Sequence, residues 1–545
     1  MPTAPPMRKS AAPRKARTPG SPRRTAPNLI AAIDIGSNAV RFALAQVDTR
    51  GKLRILDERR RPTRLGANLA SAKPLPNAAV KATIAAVKEF CFDSIRRGVT
   101  RTRVVATAAV REAPDGAAFV RRLEKEIGLP VEIIGADEEA RLAFSSCRAA
   151  FDLAARSVAI VDIGGGSVQV SLAWRGVLYD SISLPLGAVR LTSMFATQPG
   201  KKSSKPLDRM RKHIEKVLKK HLPPLPVKPS ALIGCGGTFA TIGALLGDFA
   251  GQRALAPLLS HRIRSLTRSG HSAGELSKLV SQVERLDLHQ RAGLLKAAGV
   301  PPDRADILPA GLLVARELVK LLGAKKIVPH AGGVRDGLLR EMASPQKAGT
   351  IVERSRELAR AARYEIGHSE HVALLAVALL HDLADVDRVR EALVDRFDAT
   401  ELLTSAGLLH DLGVPIDYDR HHKVSRRIIE LADWGSIAPA DRAIVANIAR
   451  YHRKSLPSET HASFMALPPK ARQVVRILAG ILRIADGLDR AHAQTTSGIR
   501  VRVAPSSLHI AAEGARAGGP DIRAGLRKSD LLSAAIRRKI TVAPG

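Results

Sequence analysis

Apolar runs that end in a small polar turn recur along the first two-thirds of the chain, and two of them are nearly the same phrase. The first is Ala32-Ile33-Asp34-Ile35-Gly36-Ser37-Asn38-Ala39-Val40; the second is Ile160-Val161-Asp162-Ile163-Gly164-Gly165-Gly166-Ser167-Val168. Each predicts a strand, a tight turn without bulky side chains, and a second β-rich run (40–47 and 168–174). Between them the pattern predicts a buried strand over 103–108, a helix over 119–127, a strand over 131–134 and helical periodicity over 138–151. A second α/β unit opens with a strand at 157–163, carries a polar, proline-bearing insertion at 197–206, and has a proline-rich link at 223–229. It resumes at Ala231-Leu232-Ile233-Gly234-Cys235-Gly236-Gly237-Thr238, a third strand-to-glycine turn running into a helix. Helix 310–322, strand 326–329 and helix 334–342 close that unit, and 345–349 reads as a linker. Beyond Thr350 the spacing changes to long amphipathic helices. The last stretch alternates in Val501-Arg502-Val503 and Leu508-His509-Ile510, as a small α+β segment would. The expected organisation is a basic arm (1–28), two α/β domains (29–150 and 151–345), a helical domain (350–495) and the α+β segment (499–545).

With 545 residues the chain is too long for one core. Its 45% apolar and 25% charged content is ordinary for a globular protein. The charge balance adds to that picture. Lys plus Arg number 86 against 51 Asp plus Glu, a net charge of +35, and a field of that size attracts polyanions. Aromatic residues make up 3% of the chain, too few for the stacking platforms of single-strand nucleic-acid modules, so nucleic acid is not the expected specific partner. The first 28 residues carry basic residues and no acid, a composition that does not fold. Three widely spaced cysteines (Cys91, Cys147, Cys235) make neither a disulfide framework nor a zinc motif and are expected as buried small hydrophobes. The expected compartment is the reducing cytoplasm, with no signal-peptide core and no uncharged apolar run long enough for a membrane span.

The glycine turns carry the chemistry. A hairpin tip without bulky side chains lets backbone N–H groups approach an anion closely. The Asp at each mouth, Asp34 and Asp162, is placed to hold hydrated Mg²⁺, which prefers oxygen ligands. Gly36, Ser37 and Asn38 of the first loop, Gly164, Gly165, Gly166 and Ser167 of the second, and Gly236, Gly237 and Thr238 of the third are the candidate phosphate cradle. The third adds a helix N-terminus. Two such hairpins, one per half, predict a duplicated α/β architecture that grips a phosphate chain from both sides.

These loops, with Ala106-Thr107-Ala108-Ala109-Val110-Arg111-Glu112-Ala113, Asp137-Glu138-Glu139-Ala140-Arg141, Arg304-Ala305-Asp306 and Gly333-Val334-Arg335-Asp336-Gly337, resemble the exopolyphosphatase/guanosine pentaphosphate phosphatase family in the family's order. The resemblance covers nearly everything after the basic arm. It implies duplicated actin/ribonuclease H-like α/β domains, the fold of actin, sugar kinases and heat-shock chaperone ATPases. It also implies Mg²⁺-dependent hydrolysis of a terminal phosphoanhydride, with Glu139 as the general base that orients the attacking water, and a homodimer. Phosphoryl transfer also needs cations on the equatorial oxygens, for which Arg111 and Arg64 are the candidates. In one place the chain departs from the family: the second loop reads Gly166-Ser167-Val168-Gln169 where the family has Glu in the last position. Gln169 offers a cation no carboxylate.

In the helical part, His368, His410-Asp411 and Asp486 follow the His…His-Asp…Asp pattern of the HD superfamily of metal-dependent phosphohydrolases, with His421, His422 and His452 as further candidate ligands. Imidazoles with carboxylates suit Mn, Fe, Zn or Co, and a bridging Asp can serve two metals. The pattern leaves two outcomes open, a metal site and a satisfied polar core. A second pair, His381-Asp382, lacks the Leu412-Gly413-Val414-Pro415 break and is set aside. The expected activity is release of terminal phosphate from inorganic polyphosphate. The alternatives are guanosine pentaphosphate hydrolysis and a weakly active or non-catalytic polyphosphate or alarmone sensor. A kinase shares the fold but needs ATP and an acceptor.

Overall fold

The computed structural model describes residues 28–154, 156–195, 206–248, 270–344, 349–364, 366–396 and 398–545. All but the last residue of the basic arm, nearly all of the insertion expected at 197–206 and most of the linker expected at 345–349 lie outside them.

The apolar runs that opened the sequence become two sheets of one design. The first contains β1 (Asn28–Ile35), β2 (Ala39–Val47), β3 (Leu53–Pro62), β4 (Arg101–Ala106) and β5 (Val131–Ile133), in the order β3-β2-β1-β4-β5. The second contains β6 (Ser157–Ile163), β7 (Val168–Trp174), β8 (Val177–Leu184), β9 (Ala231–Cys235) and β10 (Ile327–Pro329), in the order β8-β7-β6-β9-β10. In both, the first three strands are antiparallel and the last two run parallel to the first. The central strands are buried on both faces, so β1 and β6 read as continuous apolar runs rather than alternating ones. The edge strand β3 carries Arg59, Arg60 and Arg61, charged side chains that blunt an open edge, with Arg59 paired to Asp93 and Arg60 to Asp303.

Element boundaries follow local chemistry. The strand expected over 103–108 begins at Arg101 and stops at Ala106, because Thr107 turns its N–H back to Ile35 O (3.2 Å) and a short helix, Ala108–Glu112, starts there. The helix expected from 138 begins at Ala136, with Asp137, Glu138 and Glu139 in its first turn, where negative charge suits the exposed N–H groups.

Two helices cross between the lobes. Helix Ala136–Ala150 follows the first sheet, yet its Phe144 and Cys147 pack on Val158, Ile160 and Ala173 of the second. Helix Val334–Ala343 follows the second sheet, yet Val334, Leu338 and Met342 pack on Ile30, Ala32 and Ala43 of the first. Each lobe therefore buries a helix of the other, which fixes the angle of the cleft between them.

Helices dominate from Ile351 to Leu488, and their core is continuous with that of the second sheet. Arg427 fastens the two by ion pairs to Asp137 (3.0 Å) and Asp180 (3.3 Å). The chain closes on a third sheet of β11 (Gly498–Val503), β12 (Ser507–Glu513) and β13 (Lys539–Pro544), with helices Pro520–Arg527 and Asp530–Ile536 between the last two strands. All three cysteines are buried and free, as expected. Among the described residues no helix is long and apolar enough to cross a membrane.

Candidate active site

The two hairpin tips have the same closure, Gly36 N–H to Ala39 O at 3.2 Å and Gly164 N–H to Ser167 O at 3.0 Å. They meet across the interlobe cleft: a Cβ on Gly166 would stand 2.6 Å from Ser37 Oγ, so only glycine lets the loops come this close. The third loop enters helix Gly236–Leu245 through Gly236 at φ +75°, with Asp162 Oδ1 only 2.1 Å from where a Cβ would lie. Thr238 Oγ1 donates to Ile163 O at 3.1 Å and ties this helix to the second hairpin. A cavity of about 100 Å³ lies between the tips. Gly36, Ser37, Asn38, Gly164, Gly165, Gly166, Ser167, Gly236, Gly237 and Thr238 all line it, as do Asp34, Asp162 and Glu139.

Glu139 is buried and Asp34 and Asp162 are half-buried, and neither aspartate makes an ion pair among the described residues. Burial, against the pull of Arg41 and with repulsion from Asp34, pushes Asp162 up to about 6. Asp34 is raised by burial as well, and its Oδ1 has no hydrogen-bond partner among the described residues. Glu139, 8% exposed, is pushed up to about 7 by burial; Arg111 pulls the other way, while Asp162 and Asp34 repel it further. Buried Asn38 Oδ1 and Gln169 Oε1 are also without partners among the described residues. Several orphaned or raised oxygen acceptors on one cavity suit a hard cation that binds through oxygen.

The cations differ from those expected. Arg111 does not line the cavity; its Nη1 donates to Glu139 Oε1 (2.5 Å) and Ile134 O (2.7 Å), fixing the carboxylate from behind. Arg64 is not brought to the cavity either. It is held at the lobe junction by Asp306 at 2.5 and 2.9 Å and by Asp303 O at 3.0 Å, because a carboxylate nearby in space outcompetes an open cleft. Arg41, Arg304 and Arg335 line the cavity instead. Arg304 Nη1 and Arg41 Nη2 converge within 2.4 and 2.5 Å of where a Cβ on Gly237 would be, at the start of the Gly236 helix. Neither makes an ion pair among the described residues, whereas Arg335 is bound to Glu58 at 2.5 Å. Burial lowers Arg304 to about 9, with repulsion from Arg41 and Arg60 adding to it. Arg304 and Arg335 sit in motifs that the sequence offers. Arg41 had a signal too, because it faces Asp34 across β1 and β2 just as Gln169 faces Asp162 across β6 and β7. Gln169 is buried and its Nε2 donates to Ser183 Oγ at 3.1 Å.

His368, His410, Asp411 and Asp486 also come together, far from the cleft in sequence, and His421 and His452 join them. His422 is buried beside the group but outside it. The side chain of His381 is 90% exposed.

Fold and cleft together define a duplicated α/β protein with a buried, carboxylate- and arginine-lined cavity between its lobes. The chain belongs to the Ppx/GppA phosphatase family: that family's pattern matches residues 44–345, and the pattern of the Ppx/GppA phosphatase domain III matches residues 353–512. It is thus a member of a family of phosphate-releasing hydrolases. Among solved structures, the Ppx/GppA enzyme of Aquifex aeolicus is 28% identical, covering 57% of this chain and 99% of its own, with a TM-score of 0.45. An exopolyphosphatase from Cytophaga hutchinsonii is 22% identical, covering 58% of this chain and 98% of its own, with a TM-score of 0.48.

Proposed function

We propose that the interlobe cleft removes the terminal phosphate of inorganic polyphosphate with Mg²⁺ as cofactor. The observation that carries this reading is one small cavity where buried Glu139 and half-buried Asp34 and Asp162 face two arginines that have no ion-pair partner among the described residues, across backbone-lined glycine loops. The terminal phosphate sits on the loops, its oxygens on backbone N–H groups and on Arg41 and Arg304. Glu139, its orientation fixed by Arg111, accepts a hydrogen bond from a water in line with the bond to be broken. As the water oxygen bonds to phosphorus, its proton passes to Glu139. The bridging oxygen leaves with the electron pair on the shortened chain, where the arginines hold its charge. Mg²⁺ on Asp34 and Asp162 would supply neutralisation of the phosphoryl oxygens, and the orphaned Asp34 Oδ1 suits it. The net charge of +35 favours a long polyanion approaching this mouth.

One feature favours guanosine pentaphosphate as the second reading. A neighbouring cavity of about 510 Å³ shares Arg41, Gly237 and Arg304 with the cleft and has small apolar walls at Ala240, Ala244, Ala298, Val300 and Pro301, as a nucleoside needs. The test is phosphate release in Mg²⁺ from long-chain polyphosphate, guanosine pentaphosphate and ATP, side by side, for the natural protein and Glu139→Gln. Loss of release in the variant supports the cleft, and the preferred substrate decides between the two readings. Release that survives would move the chemistry to the His410-Asp411 cluster. Tight polyphosphate binding without release from any substrate would make the protein a sensor.

A further inference from the structure

The helical part brings four imidazoles and two carboxylates to one point from separate elements. His368 comes from helix Ile366–Asp382, Asp486 from helix Pro469–Leu488, and His421 opens helix His421–Leu431. His410 and Asp411 follow helix Ala399–Leu409, and His452 follows helix Pro439–Arg450. All six are buried.

The four rings share one orientation device. Nδ1 of His410, His421 and His452 each lies 2.7 Å from a backbone carbonyl, those of Gly407, Tyr418 and Ala449. Nδ1 of His368 lies 2.7 Å from Asp489 Oδ2. These oxygens can only accept, so each Nδ1 carries the hydrogen and, in the neutral ring, each Nε2 presents a lone pair. A satisfied polar core would answer those lone pairs with donors. Instead, Nε2 of His368 and of His410 have no hydrogen-bond partner among the described residues, and the Nε2 atoms of His421 and His452 face each other at 3.2 Å with a single donor beside them, Arg453 Nη1 at 3.3 Å from His421 Nε2. Lone pairs aimed at one another and at carboxylates need a cation between them.

Asp411 sorts the rings into two sets. Its Oδ2 lies 3.6 Å from His410 Nε2 and 4.0 Å from His368 Nε2, and Asp486 Oδ1 is 3.9 and 3.7 Å from the same two atoms. Its Oδ1 lies 3.1 Å from His421 Nε2 and 3.4 Å from His452 Nε2. Ligand atoms about 2.1 Å from a common metal stand roughly 3–3.4 Å apart; the second set has this spacing, and the first, at 3.6–4.0 Å, would draw in by a few tenths of an ångström around an ion.

We infer that this cluster holds two divalent transition-metal ions bridged by the Asp411 carboxylate, one with His368, His410 and Asp486, the other with His421 and His452. Imidazole with carboxylate selects Mn, Fe, Co or Zn over Mg. The second ion has three protein ligands and so keeps positions open for water, hydroxide or an oxyanion. Two cations stand by the site, Lys528 on Asp486 Oδ2 and Arg453 3.1 Å from the His421 ring, so the class of outside ligand it would take is anionic.

The test uses the full chain, stripped with a chelator and loaded with Mn²⁺, Fe²⁺, Co²⁺ or Zn²⁺ in turn. Excess metal is removed by gel filtration in Mg²⁺ buffer and metal per chain is measured by mass spectrometry. With at least one of the metals the natural protein should retain two ions per chain, and the Mn²⁺ form should give an exchange-coupled paramagnetic signal. His421→Ala with His452→Ala should retain one ion with the coupling lost; Asp411→Asn should lose the coupling too. His422→Ala, on the same helix but outside the cluster, and Asp34→Asn, in the cleft, should both keep two ions and report that handling and folding are sound. Retention of one ion or none by the natural protein with every metal overturns the inference. So does full retention by the double variant.

Discussion

Replacing Glu139 by Gln should separate the cost of holding this carboxylate ionised from its use. The fold raises Glu139 from 4.5 to about 7, chiefly by burial. An acid raised in the folded state favours the protonated fold, so nothing is lost below pH 4.5. The deficit grows as pH rises from there to about 7 and is constant above. A shift of this size corresponds to about 3 kcal/mol. Gln keeps the shape and can still accept the Arg111 bond, but it does not ionise. Melting curves in Mg²⁺-free buffer should therefore coincide near pH 4.5 and diverge by pH 8, the variant melting higher by up to roughly 5 °C when both lobes, about 300 residues, unfold together. Added Mg²⁺ should narrow the gap, because a cation stabilises the ionised cluster. Phosphate release should fall by roughly 10²–10⁴ in kcat with little change in KM. A gap independent of pH, or a variant that melts lower at pH 8, would refute the assignment of a strained, buried carboxylate.

Gln169→Glu would place a carboxylate opposite Asp162 across β6 and β7. Turnover in Mg²⁺ should rise; unchanged turnover would mean that this side chain does not tune the metal. Arg304→Gln removes a half-buried guanidinium that makes no ion pair among the described residues. It should raise KM for polyphosphate roughly tenfold without lowering melting temperature, since one charge-assisted bond is lost and the repulsion from Arg41 and Arg60 is relieved. Arg64→Ala, outside the cavity, should change kcat/KM far less in the same assay. Gly236→Ala sets a methyl against Asp162 Oδ1 at a left-handed φ of +75°. It should lower stability by ~1–3 kcal/mol and reduce phosphate release, read by denaturation and the release assay together.

How far the cleft was legible depends on how local its parts are. The Asp34, Asp162 and Gly236 loops each lie within a few residues, and their pattern of apolar run, acid and glycine states both the turn and its openness to an anion. The repeated apolar runs of β1 and β6 announced a duplicated α/β architecture for the same reason. Arg64 shows the limit. Its sequence neighbours offered no acid, and only folding brought Asp306, distant in the chain, within 2.5 Å. Arg111 passed the same test differently: it reached the site, but behind Glu139 rather than beside the phosphate.

Sequence by itself determined the repeated strand-turn-strand units, Asp34 and Asp162 at their mouths and the helical part with its histidines, because each rests on spacing within one element or on residue type alone; Glu139 and the missing acid at Gln169 came from the family resemblance. Tertiary structure alone decided which charges share a cavity. Exchanging helices Ala136–Ala150 and Val334–Ala343 between lobes sets the cleft width and carries Glu139 toward Asp34 and Asp162. The same packing brings Arg304 against Arg41 and turns His421 and His452 toward Asp411. Coulomb forces and burial act through space, and chain separation says nothing about which side chains will feel them.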